Sequence, residues 1–213
     1  MPSMDEDGPP RARDGAGVGP WPGGRPGWPD DPRLDPDLLK HGDHRNVEDR
    51  YRYWTMDAIR SDVARRALGL EVAVENLGHD FNIGSIVRTA NALGVSRVHI
   101  VGRRRWNRRG AMVTDRYLPV DHLEDAGGLA QECRARGLEL IGIDNVEGSL
   151  PLEEAQLPSR ACLVFGEESG GLSPQMRREC ARILHITQRG STRSMNVGHA
   201  AAIAMWAWTT RAR

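Results

Sequence analysis

Residues 191–208, STRSMNVGHAAAIAMWAW, join a short polar stretch directly to the most continuously apolar part of the chain. After Asn196 the apolar residues leave almost no polar face, which predicts a helix that is covered on more than one side. A polar site and a buried helix therefore share one junction. The segments upstream must supply both the cover for this helix and the rest of the site.

The charges of the 213-residue chain balance, with 29 basic and 29 acidic side chains. Net charge therefore says nothing about a nucleic-acid partner, and any basic surface must come from local clustering. Lys40 is the one lysine, so arginine supplies nearly all the positive charge, in a form that suits bidentate phosphate contacts. Three widely spaced cysteines in apolar surroundings predict reduced core thiols in a cytoplasmic protein. We also expect neither a membrane span nor a signal peptide.

The N-terminal part of the chain has an unusual composition. Residues 1–43 hold nine of the 13 prolines and eight of the 24 glycines, with few aliphatic side chains to offset the entropy of ordering. We predict a disordered Pro/Gly-rich tail over residues 1–45, then a helical extension over residues 46–69. The arginines of that helix, interleaved with Tyr53 and Trp54, either contact RNA or form an ordinary solvated face.

From Leu70 onwards, short aliphatic and β-branched runs alternate with helical segments. The predicted strands cover residues 70–75, 97–101, 138–143, 161–165 and 183–187. This alternation predicts an α/β fold with a mostly parallel sheet and helices on both faces. Ligands of such folds gather at the carboxyl ends of the strands, and three polar, glycine-containing segments of this chain fall there.

The first polar segment is HDFNIGSIVRTANALG, residues 79–94. Asn82 is placed to cap the helix that follows, and Gly94 is placed to end it. Arg88 lies off the apolar stripe of that helix. It is positioned either to hold a phosphate or to form a surface ion pair.

The second polar segment is FGEESGGLSPQM, residues 165–176. Its glycine-rich turn carries Glu167 and Glu168 and lacks a P-loop lysine, so it suits a neutral or cationic ligand and disfavours ATP and NAD. The third segment places Ser194 and Asn196 at the start of the last helix. Taken alone, it is only a capping motif.

The order and residue types of the three segments resemble the SpoU (TrmH-type) family of RNA ribose 2′-O-methyltransferases, within the SPOUT trefoil-knot superfamily. The matching positions are Asn82, Gly84, Ile86, Arg88, Thr89, Ala90 and Gly94 in the first segment, Phe165, Gly166, Glu168, Gly171, Leu172 and Ser173 in the second, and Ser194, Asn196 and Val197 in the third. Gly198 stands where the family pattern more often has serine. The resemblance extends from about residue 70 to the C-terminus.

The resemblance implies a SPOUT methyltransferase domain over residues 70–213, with a deep C-terminal trefoil knot that holds S-adenosylmethionine. By correspondence, the cofactor-binding residues are Ile143, Gly166, Ile186, Ser194 and Met195. The catalytic residues are Asn82, Arg88, Glu168, Ser194 and Asn196. In the family the counterpart of Arg88 is proposed as a general base, but arginine is effectively always protonated, which favours electrostatic stabilisation of the ribose oxygen. Such proteins are usually homodimers, and no metal is implied.

Substrate contacts are expected from GRRRWNRRG, residues 102–110. The candidate RNA-binding residues there are Arg103, Arg104, Arg105, Trp106, Arg108 and Arg109, which offer phosphate contacts and a stacking platform. The alternative for this segment is a mobile solvated loop. The substrate is tRNA or rRNA, and the sequence does not separate them. A non-catalytic RNA-binding protein on the same fold is the alternative function, whereas a Rossmann enzyme is disfavoured because G-x-G-x-x-G is absent.

Overall fold

The computed structural model describes residues 17–76, 82–167 and 170–211. The chain divides into two compact units, Met1–Asp62 and Val63–Arg213. This division differs from the boundaries that we predicted near residues 45 and 69. None of the helices in the described ranges combines the length and the apolar character that crossing a bilayer requires.

The first unit contains α1, Pro36–His41, and the start of α2, Met56–Arg66. One 3-10 turn, Arg25–Gly27, precedes α1, and a second, Asp49–Tyr51, lies between α1 and α2. Asp35 caps α1 because its carboxylate accepts hydrogen bonds from two amides of the first turn.

The described part of the predicted N-terminal tail is folded, which differs from the disorder that composition predicts. Val18, Leu39 and Tyr53 form a small buried cluster. The buried carboxylate of Asp43 accepts hydrogen bonds from the Arg45 guanidinium at 2.7 Å and from the Tyr53 amide at 3.0 Å. A low content of aliphatic residues predicts disorder here, but the folded segment buries an aromatic ring and an ion-paired carboxylate in their place.

The helix predicted over residues 46–69 begins later than expected, at Met56. Tyr53 has a φ of 63°, and this left-handed conformation interrupts the helical path before that point. The Tyr53 ring is buried and Trp54 packs under the guanidinium of Arg33, 4.4 Å from its ring centroid. Neither ring is therefore an open platform for stacking on bases.

The second unit is built on a sheet in which all the strand pairs among the described residues run parallel. Its strands are β1 Leu70–Asn76, β2 Arg97–Gly102, β3 Val120–Leu123, β4 Glu139–Ile143, β5 Leu150–Pro151, β6 Ala161–Phe165 and β7 Arg182–His185. They are arranged in the order β3-β2-β1-β6-β4-β7-β5. The five predicted strands are confirmed, and the two short edge strands, β3 and β5, were not predicted.

Helices cover both faces of this sheet, as predicted. They include α3 Ile83–Ala92, α4 Ala126–Ala135, α5 Pro174–Glu179 and α6 Val197–Arg211. The sheet has a hydrophobic core on each face. Residues of α3 and α6 form the larger core together with Val72 of β1, while residues of α4 and α5 form the smaller core with Ala73 on the opposite face. Adjacent residues of β1 therefore point into different cores, as strand geometry requires.

The three cysteines carry free thiols. Burial, followed by nearby carboxylates, raises the pKa of Cys180 to about 12. A hydrogen bond with Cys133, reinforced by burial, also raises the pKa of Cys162. The thiols of Cys162 and Cys180 therefore stay protonated at neutral pH, in agreement with the core role predicted for them.

A buried ion pair links β1 to its neighbours. Glu71 lies 2.6 Å from Nε2 of His99 and also pairs with the guanidinium of Arg136. Burial alone would raise the pKa of Glu71, but the hydrogen bonds from these two side chains outweigh it and lower the pKa below the ordinary 4.5. A carboxylate with a lowered pKa stabilises the fold above its unfolded-state pKa, and this stabilisation is lost as pH falls through the folded-state pKa.

We therefore expect Glu71→Gln to lower the free energy of unfolding at pH 7 by about 2 kcal/mol. Urea denaturation at a series of pH values measures this change. The difference from wild type should shrink progressively below pH 4.5, the ordinary glutamate value. As a control, Glu139→Gln breaks a partly exposed pair with Arg182 and should cost less than about 1 kcal/mol. A difference for Glu71→Gln that stays constant down to low pH would contradict this account.

Candidate active site

Loops at the carboxyl ends of β4, β6 and β7 enclose a cavity of about 310 Å³. A cavity of this size accommodates a small organic ligand. All the residues predicted to bind the cofactor line it, namely Ile143, Gly166, Ile186, Ser194 and Met195. The described residues contain no group of three or more His, Cys, Asp and Glu side chains placed to hold a metal ion.

Two backbone segments approach each other closely in this cavity at Gly166, which follows β6. A Cβ atom on Gly166 would lie 2.0 Å from the carbonyl carbon of Gly171, so this approach requires glycine. Glu167 and Gly171 exchange backbone hydrogen bonds of 3.1 and 2.9 Å, which close the turn. The predicted catalytic residue Glu168 lies outside the described residues.

Two charged side chains that we did not predict also line the cavity. Asp144 follows β4, and Arg177 lies on α5. One carboxylate oxygen of Asp144 is 3.3 Å from Arg177 Nη2 and accepts a 2.9 Å hydrogen bond from the amide of Leu172. The wall therefore carries a fixed carboxylate. The sequence feature that points to Asp144 as a site residue is its position directly after a predicted strand, where ligands of parallel sheets bind.

The second polar segment is tied to β1 through Ser173. Its hydroxyl accepts a hydrogen bond from the amide of Met176 at 3.1 Å, so Ser173 caps α5. The Ser173 amide and hydroxyl both donate to the carboxylate of Glu75, each over 2.7 Å. Glu75 is buried near the end of β1. The glycine-rich turn is thus held at the carboxyl end of β1.

The first and third polar segments meet through two asparagine side chains. Asn196 donates from Nδ2 to Oδ1 of Asn82 over 3.0 Å. Its own Oδ1 accepts from the amides of Gly198 and His199 at 2.9 and 3.2 Å, so Asn196 caps α6. Asn82 precedes α3 as predicted, but its side chain makes no capping hydrogen bond and contacts Asn196 instead.

Arg88 is exposed on α3, about one helical turn beyond Ser85 on the same face. It is not among the described residues that line the cavity, whereas the exposed Ser194 is. The hydroxyl of Ser85 lies 3.1 Å from the position that a Cβ atom would take on Gly198. Arg88 therefore lies one turn beyond Ser85, on the face of α3 whose first turn contacts the third polar segment at Gly198.

The segment with the candidate RNA-binding residues follows β2. Its five arginines are exposed, namely Arg103, Arg104, Arg105, Arg108 and Arg109. Trp106 is half-buried, packs against the larger core and has the Arg108 guanidinium 5.4 Å from its ring centroid. The segment therefore presents charge to solvent, while its aromatic ring is partly committed to the protein.

The chain is similar to known RNA methyltransferases. Residues 69–206 match the model of the SpoU rRNA Methylase family. A protein of Mycobacterium avium (strain 104), described as an uncharacterized tRNA/rRNA methyltransferase, is 30% identical over 162 residues, which cover 73% of this chain and 52% of that protein. The tRNA (guanosine(18)-2′-O)-methyltransferase of Escherichia coli (strain K12) is 24% identical over 147 residues, covering 68% of this chain and 64% of that enzyme. The chain thus spans less than two thirds of the length of these relatives.

A solved structure shares the same architecture. The SpoU methyltransferase AviRb from Streptomyces viridochromogenes, in complex with AdoMet, matches with a TM-score of 0.60 at 25% identity. The match covers 66% of this chain and 59% of that one. This similarity confirms the predicted α/β class with its mostly parallel sheet.

Proposed function

Because the chain belongs to the SpoU rRNA Methylase family, we propose that it is an S-adenosylmethionine-dependent RNA methyltransferase that acts on a ribose 2′-hydroxyl of tRNA or rRNA. The observation that carries this proposal is that all five predicted cofactor-binding residues, from separate parts of the sequence, line one cavity. The name of the Escherichia coli relative specifies a tRNA 2′-O-methyltransferase, and the Mycobacterium avium relative is described as acting on tRNA or rRNA. Both support this class of acceptor.

The cavity fits S-adenosylmethionine by its size and its lining. Ile143, Phe165 and Ile186 provide apolar walls for a nucleobase, and the Asp144 carboxylate, paired with Arg177, adds polar groups to the wall. The close backbone approach at Gly166 leaves main-chain groups at the wall, where they can bind polar atoms of the ligand. When bound, this cofactor supplies an electrophilic methyl group carried on a sulfonium.

The side chains near the cavity have to make a ribose hydroxyl reactive. Such a hydroxyl is a weak acid, so the site must stabilise the negative charge that develops on its oxygen. We assign this role to Arg88, whose guanidinium is permanently charged and exposed on α3, and which would also hold the adjacent phosphate. Asn82, Ser194 and Asn196 would orient the ribose, together with Glu168.

The trefoil knot implied by the resemblance belongs to this proposal. The C-terminal helix α6 packs against α3, β4 and β6. Trp208 Nε1 donates a 2.9 Å hydrogen bond to the carbonyl of Pro158, and the Arg211 guanidinium donates to carbonyl oxygens in residues 152–155. These attachments to the chain between β5 and β6 support a C-terminal segment threaded through the preceding loops.

We further propose that two copies of the chain pair through α6. One side of this helix is buried in the larger core, but Ile203 and Trp206 remain 42% and 61% exposed. Large exposed apolar side chains of this kind mark association surfaces. The homodimer implied by the resemblance would cover them, and it would account for a helix with so few polar positions.

Accordingly, Trp206→Glu should convert a dimer into a monomer, because the carboxylate would be buried unpaired between the two copies. Sedimentation velocity measures the change in mass. Leu150→Glu, which alters another exposed apolar residue (53% exposed) on β5, serves as the control and should remain dimeric. A monomeric wild type, or a dimeric Trp206→Glu variant, would rule out this pairing.

The reduced thiols and the RNA substrate favour a cytoplasmic location.

Mapping ribose methylation in total RNA from a deletion strain and from the complemented strain tests the function and identifies the nucleotide. We expect a 2′-O-methyl group to disappear on deletion and to return on complementation. Unchanged methylation, together with no binding of S-adenosylmethionine in calorimetry, would favour the non-catalytic RNA-binding alternative.

A further inference from the structure

The arginine loop, residues 103–109, is attached to the end of β1 by one buried side chain. Asn76 is 1% exposed, and its Nδ2 donates hydrogen bonds to the carbonyl oxygens of Arg103 and Arg105 at 2.6 and 2.9 Å. The Asn76 carbonyl accepts a further bond, of 2.8 Å, from the Arg103 amide. Both N–H groups of one amide are therefore used to turn backbone carbonyls inward, and the arginine side chains of the loop are exposed.

The far side of the loop is held by a contact between two backbones. A Cβ atom on Gly84 would lie 2.7 Å from the Cα of Gly110, so the chain after the loop rests directly on the first turn of α3. The Thr114 hydroxyl fixes the next turn by donating to the carbonyl of Ala111 over 2.6 Å. Between the two attachments, Trp106 packs on the larger core. The loop is therefore anchored at its start, middle and end.

This anchoring matters for a partner with many phosphates. A flexible arginine segment loses conformational entropy on binding, whereas a segment fixed in advance avoids most of that cost. The attachment at Gly84 also joins the loop to α3, the helix that carries Arg88 and is preceded by Asn82. Phosphates bound by the loop would therefore sit at a fixed position relative to the proposed catalytic groups.

We propose that Asn76 is a positioning residue for RNA, whose side-chain amide holds the arginine loop as a preformed phosphate-binding surface. This inference rests on the proposed function. It requires two N–H donors at position 76, a requirement that aspartate, although nearly identical in shape, cannot meet. A carboxylate there would face two carbonyl oxygens and release the loop.

The test compares Asn76→Asp with Asn107→Asp. Asn107 is an exposed residue of the loop whose Oδ1 accepts from the Arg109 amide over 3.0 Å, and a carboxylate can accept the same bond. Both variants add one negative charge to the same region, but only the first removes needed donors. The probes are an unmodified tRNA transcript, titrated at several salt concentrations, and S-adenosylmethionine.

For Asn76→Asp we expect the Kd for the transcript to rise about tenfold more than for Asn107→Asp, with a shallower salt dependence because phosphate contacts are lost. The Kd for S-adenosylmethionine should change less than about twofold, and at saturating RNA kcat should be retained while KM rises. Equal RNA affinity and equal salt dependence in the two variants would overturn the inference. A wild-type chain that binds neither S-adenosylmethionine nor RNA would instead overturn the proposed function.

If Asn76→Asp no longer binds S-adenosylmethionine, its effect on RNA binding is not specific to the loop. A variant at Gly110, the attachment at the other end of the loop, then tests the inference. Gly110→Ala places a methyl group 3.2 Å from the Cα of Gly84, so the contact between the end of the loop and α3 has to widen by a few tenths of an ångström. We expect weaker RNA binding with unchanged affinity for S-adenosylmethionine. Unchanged RNA affinity in this variant would contradict a preformed arginine surface.

Discussion

Replacing Arg88 with alanine is expected to lower the rate of methyl transfer by about 10²- to 10³-fold while leaving the affinity for S-adenosylmethionine unchanged. The expected loss is that of a preorganised group that stabilises charge developing on an oxygen. The affinity should persist because Arg88 is exposed on α3 and lies outside the set of described residues that line the cavity. Single-turnover methylation of RNA and calorimetry with the cofactor measure the two quantities separately.

The matched control is Arg178→Ala, which removes another exposed helical arginine, in the last turn of α5. Its rate should stay within about threefold of wild type, because an exposed charge away from the reacting atoms has little effect on the transition state. Arg88→Lys keeps the charge but loses the planar donor fork, so its rate should lie between those of wild type and alanine. Wild-type turnover by Arg88→Ala would remove this residue from the mechanism.

Replacing Gly166 with alanine should weaken the binding of S-adenosylmethionine by about 100-fold, which corresponds to the cost of overpacking a close contact between two backbone segments. The added methyl group would lie 2.0 to 2.2 Å from backbone atoms of Gly171 and Leu172, so the turn that forms one wall of the cavity has to move. Calorimetry with the cofactor, together with circular dichroism to show that the fold is retained, measures this effect.

Gly170→Ala is the control for that substitution. Gly170 lines the same cavity, but a Cβ atom there would meet nothing within 4 Å. We expect its affinity for the cofactor to stay within about threefold of wild type. Similar affinities for the Gly166 and Gly170 variants would contradict the view that the close backbone approach shapes the cofactor site.

Much of the fold follows from the alternation of short apolar runs with helical segments. β6, ACLVF, is buried throughout and is an unbroken apolar run in the sequence, as expected for a central parallel strand. β1, LEVAVEN, is equally buried but includes Glu71 and Glu75, whose partners in the structure the sequence does not reveal. The edge strand β3 was missed because its four residues are only partly buried and include Asp121 and His122. β5 has two residues, too few for any period to be visible.

The N-terminal unit shows where composition is a poor guide. A chain rich in proline and glycine can still bury surface when a few aromatic rings meet, as Trp21 and Tyr53 do with centroids 5.4 Å apart. The Tyr53 hydroxyl donates to the carbonyl of Gly19 over 2.5 Å, a contact across 34 positions of the sequence. Contacts between such distant residues leave no local pattern in the sequence.

The candidate site also contains residues that the sequence predicted and residues that it did not. The resemblance implied residues from separate segments. In the structure, the residues predicted to bind the cofactor line one cavity, and Asn82 contacts Asn196. The ion pair of Asp144 and Arg177 was not predicted, because it joins a loop and a helix that no motif connects. The role of Asn76 likewise depends on hydrogen bonds to a loop 27 and 29 positions later in the chain.

The most direct test of the central claim is nucleoside analysis after incubation of the purified chain with S-adenosylmethionine, labelled in its methyl group, and unmodified tRNA or rRNA. Nuclease digestion followed by mass spectrometry shows which atom carries the label. We predict a 2′-O-methylated nucleoside whose formation requires the arginine at position 88. Label found only on a base, or no label despite measured cofactor binding, would contradict the proposed ribose 2′-O-methyltransferase.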